Sequence, residues 1–468
     1  MNRPIHCCAL HERRVRVICS ALLGAIALML VAAAPARAAT YYVDSARPDD
    51  SGDGASWATA KRTIQAGAEL LASADTLKVK SGGYPAFFLR NRSFSSWTRI
   101  ETDDGGGNPG LVSITGGVTS GYGGSTTAGI EIQNVSYLRI DGRQPGGFTV
   151  LGDAGGPAIG VVAWHWANVH NISIRYVDVI GTRGGEFAIG TAGYGNVEIG
   201  FCRVDASATY LIYVMGSGTG DPNNVGTGSI HHCDVRGAAL EVVIGVTRFG
   251  HCEVYNNYVH DTTPIDEPYV VPLRVRNGND NRFYNNVVWV QPASGYQSVF
   301  QARAGGGATL VNRNEWFNNT VILDAPVLHS VVFFSEDANN NRAYNNLIVG
   351  DANVFSNTWT LTGSNNEIFD NVITGGLNRW FASPAVEAGY SVTSGGAANA
   401  GTQFLRLAGG RPSPFWDLSA SQDGAAVAGL TTDYDGNPRG SPPDVGAFEY
   451  TTGGDMLAPA APTNLTVQ

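Results

Sequence analysis

The sequence predicts an all-β protein, a right-handed parallel β-helix with an N-terminal amphipathic capping helix. Three observations support this prediction. A short phrase built around paired asparagines recurs along most of the chain. The repeated units are short and of unequal length, and the chain is rich in glycine (60 of 468 residues) while helical patterns are nearly absent.

The recurring phrase is seen in EVYNNYV, EWFNNTV, RAYNNLIV and EIFDNVI. Aligned on the first residue of the asparagine pair or its equivalent, it occurs eight times, at spacings of 25, 31, 24, 29, 33, 27 and 25 residues. The aligned residues are Tyr176, Phe201, His232, Asn256, Asn285, Asn318, Asn345 and Asp370. An apolar residue precedes most of them by two positions and follows each by three, which is typical of short strands on either side of a turn.

Units of this size are too small to bury a core alone, so they must stack on one another. A fixed phrase with variable spacing fits parallel coils whose loops differ in length. We expect the asparagines of successive coils to lie about 4.8 Å apart, with amides bonded from coil to coil. A propeller needs a period near 40 to 45 residues, and a leucine-rich solenoid needs its leucine consensus, which is missing.

The chain begins like an exported protein. Basic residues precede an apolar run, and Ala36-Arg37-Ala38 is a cleavage signal, which predicts a signal peptide over residues 1–38. The remaining chain has no segment apolar enough to cross a bilayer, so we expect secretion or display at the cell surface, as a monomer. It carries 25 basic and 39 acidic residues, a net charge of −14, which argues against a nucleic-acid partner.

Two terminal segments resemble known proteins. The stretch from YYVDSARPDD to LKVKSGGY resembles the N-terminal cap of bacterial pectate-lyase-like β-helix proteins, with Ile64, Ala68 and Leu71 on one helix face. The segment DYDGNPRGSPPDVGAFEY resembles the C-terminal part of surface proteins called choice-of-anchor. We therefore predict a cap and first coils over 39–110, a β-helix with a closing segment over 111–450, and a tail over 451–468 that resembles the start of a fibronectin type III module.

Three arginines stand out when equivalent residues of successive coils are compared. Arg248, Arg276 and Arg303 each begin an Arg-x-Gly and are 28 and 27 residues apart, which predicts a column near a strand end. Stacked like charges need acidic partners. These are either a uronic-acid chain, which the arginine fork suits, or protein carboxylates on the surface. Protein candidates are Glu241, Asp266, Glu267, Glu336 and Asp337.

Polar residues also crowd one side of the coils between positions 176 and 261. One predicted column reads Asp178, Arg203, Asp234 and Tyr258, and a second contains Asp205, Arg236 and His260. Later coils carry apolar or neutral residues at the same places. The columns form either a solvated ion ladder or part of a glycan site.

Aromatic and cysteine residues leave two further alternatives open. Trp164 and Trp166 either stack on sugar rings or fill a corner of a coil. Cys202 and Cys233 share a column, as stacked buried thiols or at disulfide distance.

Two consecutive strands, ALEVVIGV and PLRVRNG, resemble those of alginate lyase and chondroitinase B-type lyases in their order. The resemblance implies Glu241 at a Ca²⁺ site and Arg276 as a catalytic arginine; we add Asp234 and Asp205 as candidate metal ligands. That family uses a lysine base, but the only lysines here are Lys61, Lys78 and Lys80, in the cap. The base must then be Arg276 or Arg248, as in pectate lyases, or His260.

Three functional hypotheses follow. The first is a lyase that cleaves an acidic, uronate-containing polysaccharide by β-elimination, with Arg303, Arg236, Arg203, Trp164 and Trp166 binding substrate. The second is a glycoside hydrolase that uses a pair of carboxylates drawn from Asp178, Asp205, Asp234 and Asp261. The third is a non-catalytic surface or adhesion β-helix.

Overall fold

A computed structural model of the chain confirms the parallel β-helix. It describes residues 38–122, 127–152, 159–164, 169–193, 195–216, 227–265, 270–290, 296–305, 311–323, 330–335, 337–350, 359–361, 363–374, 379–381, 386–388, 391–393 and 424–449. Residues 1–37 and 450–468 lie outside this set, so the signal peptide and the fibronectin-like tail stay predictions. No helix in the described ranges is long and apolar enough to span a bilayer.

The first nine strands are β1 (Thr40–Val43), β2 (Thr76–Val79), β3 (Gly82–Pro85), β4 (Phe87–Thr102), β5 (Val112–Thr115), β6 (Val118–Thr119), β7 (Thr127–Asp141), β8 (Phe148–Leu151) and β9 (Ile159–Trp164). The middle strands are β10 (His170–Arg175), β11 (Val177–Ala192), β12 (Val197–Gly200), β13 (Arg203–Met215), β14 (Gly228–His231), β15 (Asp234–Thr247), β16 (Cys252–Tyr255), β17 (Tyr258–Pro264) and β18 (Val271–Arg276).

The later strands are β19 (Arg282–Tyr284), β20 (Val287–Val290), β21 (Ser298–Arg303), β22 (Val311–Asn312), β23 (Glu315–Phe317), β24 (Thr320–Leu323), β25 (Ser330–Phe334), β26 (Ala338–Asn339), β27 (Arg342–Tyr344), β28 (Leu347–Gly350), β29 (Trp359–Leu361), β30 (Glu367–Phe369), β31 (Val372–Thr374), β32 (Arg379–Phe381), β33 (Val386–Ala388) and β34 (Ser391–Thr393).

Each coil contributes to three faces. In one coil, face A is β16, face B is β17 and face C is β18, and each strand pairs in parallel with its counterpart in the next coil. The long strands β4, β7, β11, β13 and β15 bend from one face to another. Inward side chains such as Ile230, Val235 and Ile244 are fully buried and form one continuous core.

The predicted capping helix is present as α1 (Ile64–Glu69). Its N-cap Thr63 accepts a hydrogen bond from the backbone N–H of Ala66, as Ser, Thr, Asp and Asn do at helix starts. Ile64, Ala68 and Leu71 are buried, as predicted from their spacing. Gly67 lies so close to Val43 and Leu77 that a β-carbon there would clash with both side chains.

The corner between faces A and B explains the repeat. All eight aligned residues adopt positive φ, between 50° and 56°. Asparagine and aspartate tolerate this conformation best, because their short side chains hydrogen-bond locally. In the earlier coils, the rings of Tyr176, Phe201 and His232 occupy the position instead and stack at centroid distances of 4.8 Å.

The second asparagine of each pair forms the predicted ladder. Side-chain amides of Asn257, Asn286, Asn319, Asn346 and Asn371 bond from coil to coil, at 2.9 to 3.0 Å. A further buried ladder, which was not predicted, runs through Asn281, Asn314, Asn341 and Asn366 at the corner between faces C and A. The coils from β19 to β30 are therefore tied to their neighbours at both ends of their face A strands.

The C-terminal residues 424–449 lie along face B of the later coils. Asn285 and Asn318, at the corner, donate to the carbonyls of Thr432 and Asp444 at 2.8 and 2.7 Å. An apolar cluster joins the coils to this segment. It contains Trp289, Ile322 and Leu347 from the coils and Val445, Ala447 and Phe448 from the segment. The change from polar to apolar residues on this side of the later coils is thus explained by what covers them. The choice-of-anchor resemblance of the segment stays a prediction.

The ladder should be a major source of stability. Asn319 donates to Phe283 and Asn346 and accepts from the backbone and side chain of Asn286. Asn319→Ala leaves these buried groups unpaired, so we expect the free energy of unfolding in urea to fall by about 3 kcal/mol or more. Asn108→Ala, in an exposed turn, is the control and should cost less than about 1 kcal/mol. Equal losses in the two variants would contradict a special role for the ladder.

Candidate active site on face C

The turns on either side of face C are longer and more variable than the corner between faces A and B, so they can form the walls of a groove. The A-to-B corner takes two residues in coil after coil, as between Tyr255 and Tyr258. The B-to-C turn takes six residues between β17 and β18 and seven between β20 and β21, and the C-to-A turn takes between four and twelve in the middle coils. Binding residues concentrate on variable loops beside a rigid scaffold. A groove is therefore expected over face C.

The floor of face C is a row of outward side chains between a tryptophan and two arginines. In successive strands the row reads Trp164, Ala192, Met215, Thr247, Arg276 and Arg303. Trp164 and Arg276 are four strand spacings apart, about 19 Å. Beside this row, the rings of Phe187 and Tyr213 lie directly against Gly190 and Gly245, where a β-carbon would clash with them. Glycine at these positions thus allows the two rings to pack directly against the backbone.

A β-bulge positions Glu241 at the edge of this floor. Ala208 pairs with Ala239 and Tyr210 with Val242, so Leu240 and Glu241 both lie opposite the single residue Thr209. Bulges redirect side chains and occur often beside active sites. The Glu241 carboxylate accepts a hydrogen bond from the Tyr210 hydroxyl at 3.0 Å and pairs with Arg274 at 3.2 Å.

Glu186 lies on the same edge, two strands earlier. Its neighbours Gly185 and Phe187 pair with Ala208 and Tyr210, which places Glu186 and Glu241 on either side of Thr209. The Tyr122 hydroxyl donates to Glu186 at 3.2 Å. Burial raises the pKa of Glu186, the charge of Glu241 raises it further, and the Tyr122 hydrogen bond opposes both effects.

An aromatic cluster links the two carboxylates. Tyr122 packs edge-on against Trp164, Phe187 contacts Tyr122 and stacks with Tyr210 and Tyr213, and the last two rings lie 4.1 Å apart. Trp164 is fixed by its indole N–H, which donates to the buried Glu131 at 3.1 Å. Trp166 lies outside the described residues. The arrangement combines apolar ring faces, two acids and a guanidinium, which are the components of a small polar-ligand site.

The predicted arginine column is confirmed for two members and wrong for the third. Arg276 pairs directly with Arg303, but the residue opposite Arg276 in the previous coil is Thr247. Arg248 instead takes the positive-φ corner, equivalent to Asn277. The asparagine phrases of these two coils are 29 residues apart, whereas Arg248 and Arg276 are 28 apart, so the phrase spacing already predicted this offset.

None of these three arginines has an ion pair or side-chain hydrogen bond within the described part of the chain. Arg303 and Arg248 are exposed, and the Arg276 guanidinium lies against Gly305. Of the proposed carboxylate partners, Glu241 pairs with Arg274 instead. Asp266, Glu267 and Glu336 lie outside the described residues.

Structural comparison identifies the fold. The chain is similar to a GH136 lacto-N-biosidase from Eubacterium ramulus, with 14% identity and a TM-score of 0.53 over 76% of this chain and 68% of that one. The similarity to pectate lyase Pel9A covers 88% of this chain and 96% of that one, with 13% identity and a TM-score of 0.46. A rhamnogalacturonan lyase matches with 11% identity and a TM-score of 0.44, over 71% of this chain and 87% of that one. No family model and no curated protein matches the sequence.

The chain has the pectate-lyase-like β-helix fold. At these identities the likeness shows the fold alone, because one β-helix fold carries many activities.

The other predicted site residues of this β-helix lie on face B. The first column is confirmed strand by strand, with Asp178 opposite Arg203, Arg203 opposite Asp234 and Asp234 opposite Tyr258. His260 is buried between two carboxylates, at 2.6 Å from Asp234 and 2.7 Å from Asp261. His260 is therefore engaged on a different face from Arg276.

The second column on face B is an ion ladder. Arg236 donates to Asp205 at 2.9 Å, and Arg203 lies 4.0 Å from the same carboxylate. Asp205, Arg236 and Arg203 therefore pair with one another within the protein, as the ion-ladder alternative predicts. Cys202 and Cys233 are both buried free thiols, so the disulfide alternative does not apply.

The three candidate calcium ligands are engaged separately. Asp205 pairs with Arg236, Asp234 with His260, and Glu241 with Arg274 across the bend on face C. No group of three or more acidic, histidine or cysteine side chains in the described ranges is arranged to hold a metal ion. These residues do not fit a joint Ca²⁺ site, so calcium binding stays a prediction without an assigned site.

Asp178 should make stability depend on pH. Burial raises its pKa to about 6, with Arg203 opposing and Asp234 adding to the shift. The folded state therefore favours the protonated acid, and stability is lost as pH rises from about 4 through 6. Asp178→Asn removes this cost. The difference in unfolding free energy between the variant and wild type should therefore shift in favour of the variant by up to about 3 kcal/mol as the pH rises from 4 to 7.5.

The control for this measurement is Asp205→Asn, which removes a more exposed carboxylate of the same face. It should show no such pH-dependent gain. An Asp178→Asn effect that is constant across this pH range would contradict the assignment.

Proposed function

We propose that the protein hydrolyses a glycosidic bond on face C, with Glu186 as general acid and Glu241 as general base. The supporting observation is that two glutamates lie on either side of Thr209, at one edge of the aromatic cluster. Glu186 is partly buried and has a raised pKa, whereas the Glu241 side chain is 40% exposed and paired with Arg274. A carboxyl group whose surroundings raise its pKa is suited to act as a general acid.

The backbone spacing leaves room for a water molecule between the two side chains, so we propose an inverting reaction. Two strand spacings separate the backbones at Glu186 and Glu241 by about 10 Å. Inverting glycosidases hold their carboxyl groups about 6.5–9.5 Å apart to leave room for water, while retaining enzymes hold them about 5–5.5 Å apart. Glu186 would donate its proton to the glycosidic oxygen as the bond to the anomeric carbon breaks. Glu241 would take a proton from the water that attacks the opposite side of the same carbon.

We propose an acidic polysaccharide as the substrate. Arg276 and Arg303 extend from the floor and have no carboxylate partner among the described residues, and a guanidinium fork binds carboxylates in bidentate fashion. The Trp164, Tyr122 and Tyr210 rings offer apolar faces to the sugar rings between them. The protein would act outside the cell, where such polymers occur.

The second candidate is a lyase for the same class of polymer. Arg276, which has no ion pair among the described residues, favours it because β-elimination requires neutralisation of the uronate carboxylate. A base is harder to assign, since the described part of face C carries no lysine or histidine. Burial also raises the pKa of Tyr122 and Tyr210, which makes them poor bases at neutral pH. The geometry therefore supports hydrolysis better.

Glutamine substitutions test the two acids. Glu186→Gln and Glu241→Gln should each lower kcat about 10²–10⁴-fold in a reducing-end assay on uronate-containing and neutral glycans. The wild-type rate should fall as pH rises through the raised pKa of Glu186, and this alkaline decline should disappear from the residual activity of Glu186→Gln. Glu315→Gln, in the face A ion ladder, is the control and should retain activity.

No turnover of any glycan by wild type would contradict an enzymatic function and favour the adhesion hypothesis. The anomer first released, followed by NMR, should have inverted configuration. Assays with Ca²⁺ and with EDTA test the calcium prediction.

Arg276→Ala separates hydrolysis from elimination. A hydrolase should show KM for an acidic glycan raised about 10- to 100-fold with little change in kcat, because a charge-assisted hydrogen bond is lost from binding. A lyase should lose turnover altogether, and its wild-type products should absorb in the ultraviolet. Arg342→Ala, an exposed arginine on face A, is the matched control. Unsaturated products from wild type would refute hydrolysis.

A further inference from the structure

A groove runs along the corner between faces C and A, away from the carboxylates of face C. Its volume is about 550 Å³, within the range of about 300–1,000 Å³ for ligand sites. One side follows the corner, with Trp97, Asn196, Thr227, His251 and Asp280, and the other follows outward residues of face A, with Glu198, Ser229, Glu253 and Arg282. From the strand of Trp97 to that of Asp280 there are six strand spacings, about 29 Å.

The groove coincides with a gap in an ion ladder, at Ser229. In the later coils the outward row of face A alternates in charge, as Glu253, Arg282, Glu315, Arg342 and Glu367. Ser229 interrupts this alternation between Glu198 and Glu253. An arginine there would bridge the two glutamates, whereas serine leaves a notch in the row.

The carboxylates beside the notch are neutralised by protein groups. Glu198 accepts from Ser173 at 2.7 Å and lies 3.4 Å from both Arg175 and His231. The His231 interaction is the main reason that the pKa of Glu198 falls to about 2. Arg282 lies 3.3 Å from Glu253, and Arg313 pairs with Asp280 at 2.7 Å. The groove is therefore polar, and among its described lining residues no arginine or lysine is left unpaired to hold an anionic ligand.

An exposed tryptophan marks one end of the groove. Trp97 is 38% exposed, and Leu111 is the other large apolar side chain that is exposed among the described residues. The Trp97 ring packs edge-on against Tyr137 and under the Arg139 guanidinium, which fixes its orientation. Along the corner, Asn171, Asn196 and Thr227 form an exposed chain of amide and hydroxyl hydrogen bonds. These groups suit hydroxyl-bearing ligands.

We propose that this groove binds a linear, uncharged oligosaccharide, independently of face C. Shape favours a linear ligand, because the groove is long and follows the helix axis. Charge disfavours a polyanion, because three carboxylates line the groove and their cations are already engaged. The polar lining, with one exposed indole ring at Trp97, fits sugar rings better than an apolar protein segment.

Two substitutions test the site, one that removes a side chain from the groove and one that adds a side chain to it. Affinity is measured by calorimetric titration with cellohexaose and N-acetylchitohexaose. Trp97→Ala removes the stacking surface and should weaken binding at least tenfold. Ser229→Arg fills the notch and should also weaken binding at least tenfold, while it restores the charge alternation and so leaves the urea midpoint equal or higher. Leu111→Ala, the other exposed apolar residue, is the control and should bind like wild type.

Independence is tested in the Glu241→Gln variant, which cannot turn over the probe if the proposed reaction is correct. Its affinity for the uncharged hexasaccharides should match that of wild type, and hexagalacturonate should not compete for the groove. Absence of binding to either uncharged probe would overturn the proposal. So would binding that both Trp97→Ala and Ser229→Arg leave unchanged, or a groove that prefers hexagalacturonate.

Discussion

From β12 to β31 each described coil turns from face A to face B in two residues, and the rest of this part of the structure depends on that constraint. The first residue takes positive φ, and in the later coils the second sends its amide into the ladder below. A corner of constant length keeps successive coils in register, so differences in coil length must be taken up elsewhere. They are taken up in the turns on either side of face C, as in the twelve residues between β13 and β14. The same constraint thus stabilises one corner and leaves face C free to acquire a site.

The first asparagine of the pair has a second use in the later coils. Its side chain points outward at the corner, where Asn285, Asn318 and Asn345 hold the C-terminal segment by its backbone. Earlier coils lack this segment and have stacked rings at the corner instead, as at Phe201 and His232. Asparagine in this position therefore serves both backbone conformation and docking of the chain end.

Much of the fold could be predicted because its determinants are local and repeated. The phrase around Asn286 defines a strand, a turn and a strand, and its spacing gives the register of Asp178, Arg203 and Asp234 correctly. The prediction for Arg248 is wrong because the Arg-x-Gly spacing differs by one residue from the spacing of the asparagine phrases. Glu186 and Tyr210 carry no repeat signal, and Glu241 reaches the floor edge through a bulge. One extra residue between paired strands is invisible in a sequence whose coils already differ in length.

The net charge of −14 on the chain after residue 38 does not oppose an acidic substrate at the proposed site. At physiological ionic strength the Debye length is about 8 Å, so most surface carboxylates are screened from a chain lying on face C. Within that distance the decisive groups in the proposal are Arg276 and Arg303, which have no ion pair in the described structure, whereas Arg282 on face A and Arg236 on face B are paired. Local pairing, and not net charge, is therefore the property on which the proposed binding of an anion to face C depends. By the same reasoning, the groove on the corner between faces C and A is left to an uncharged ligand.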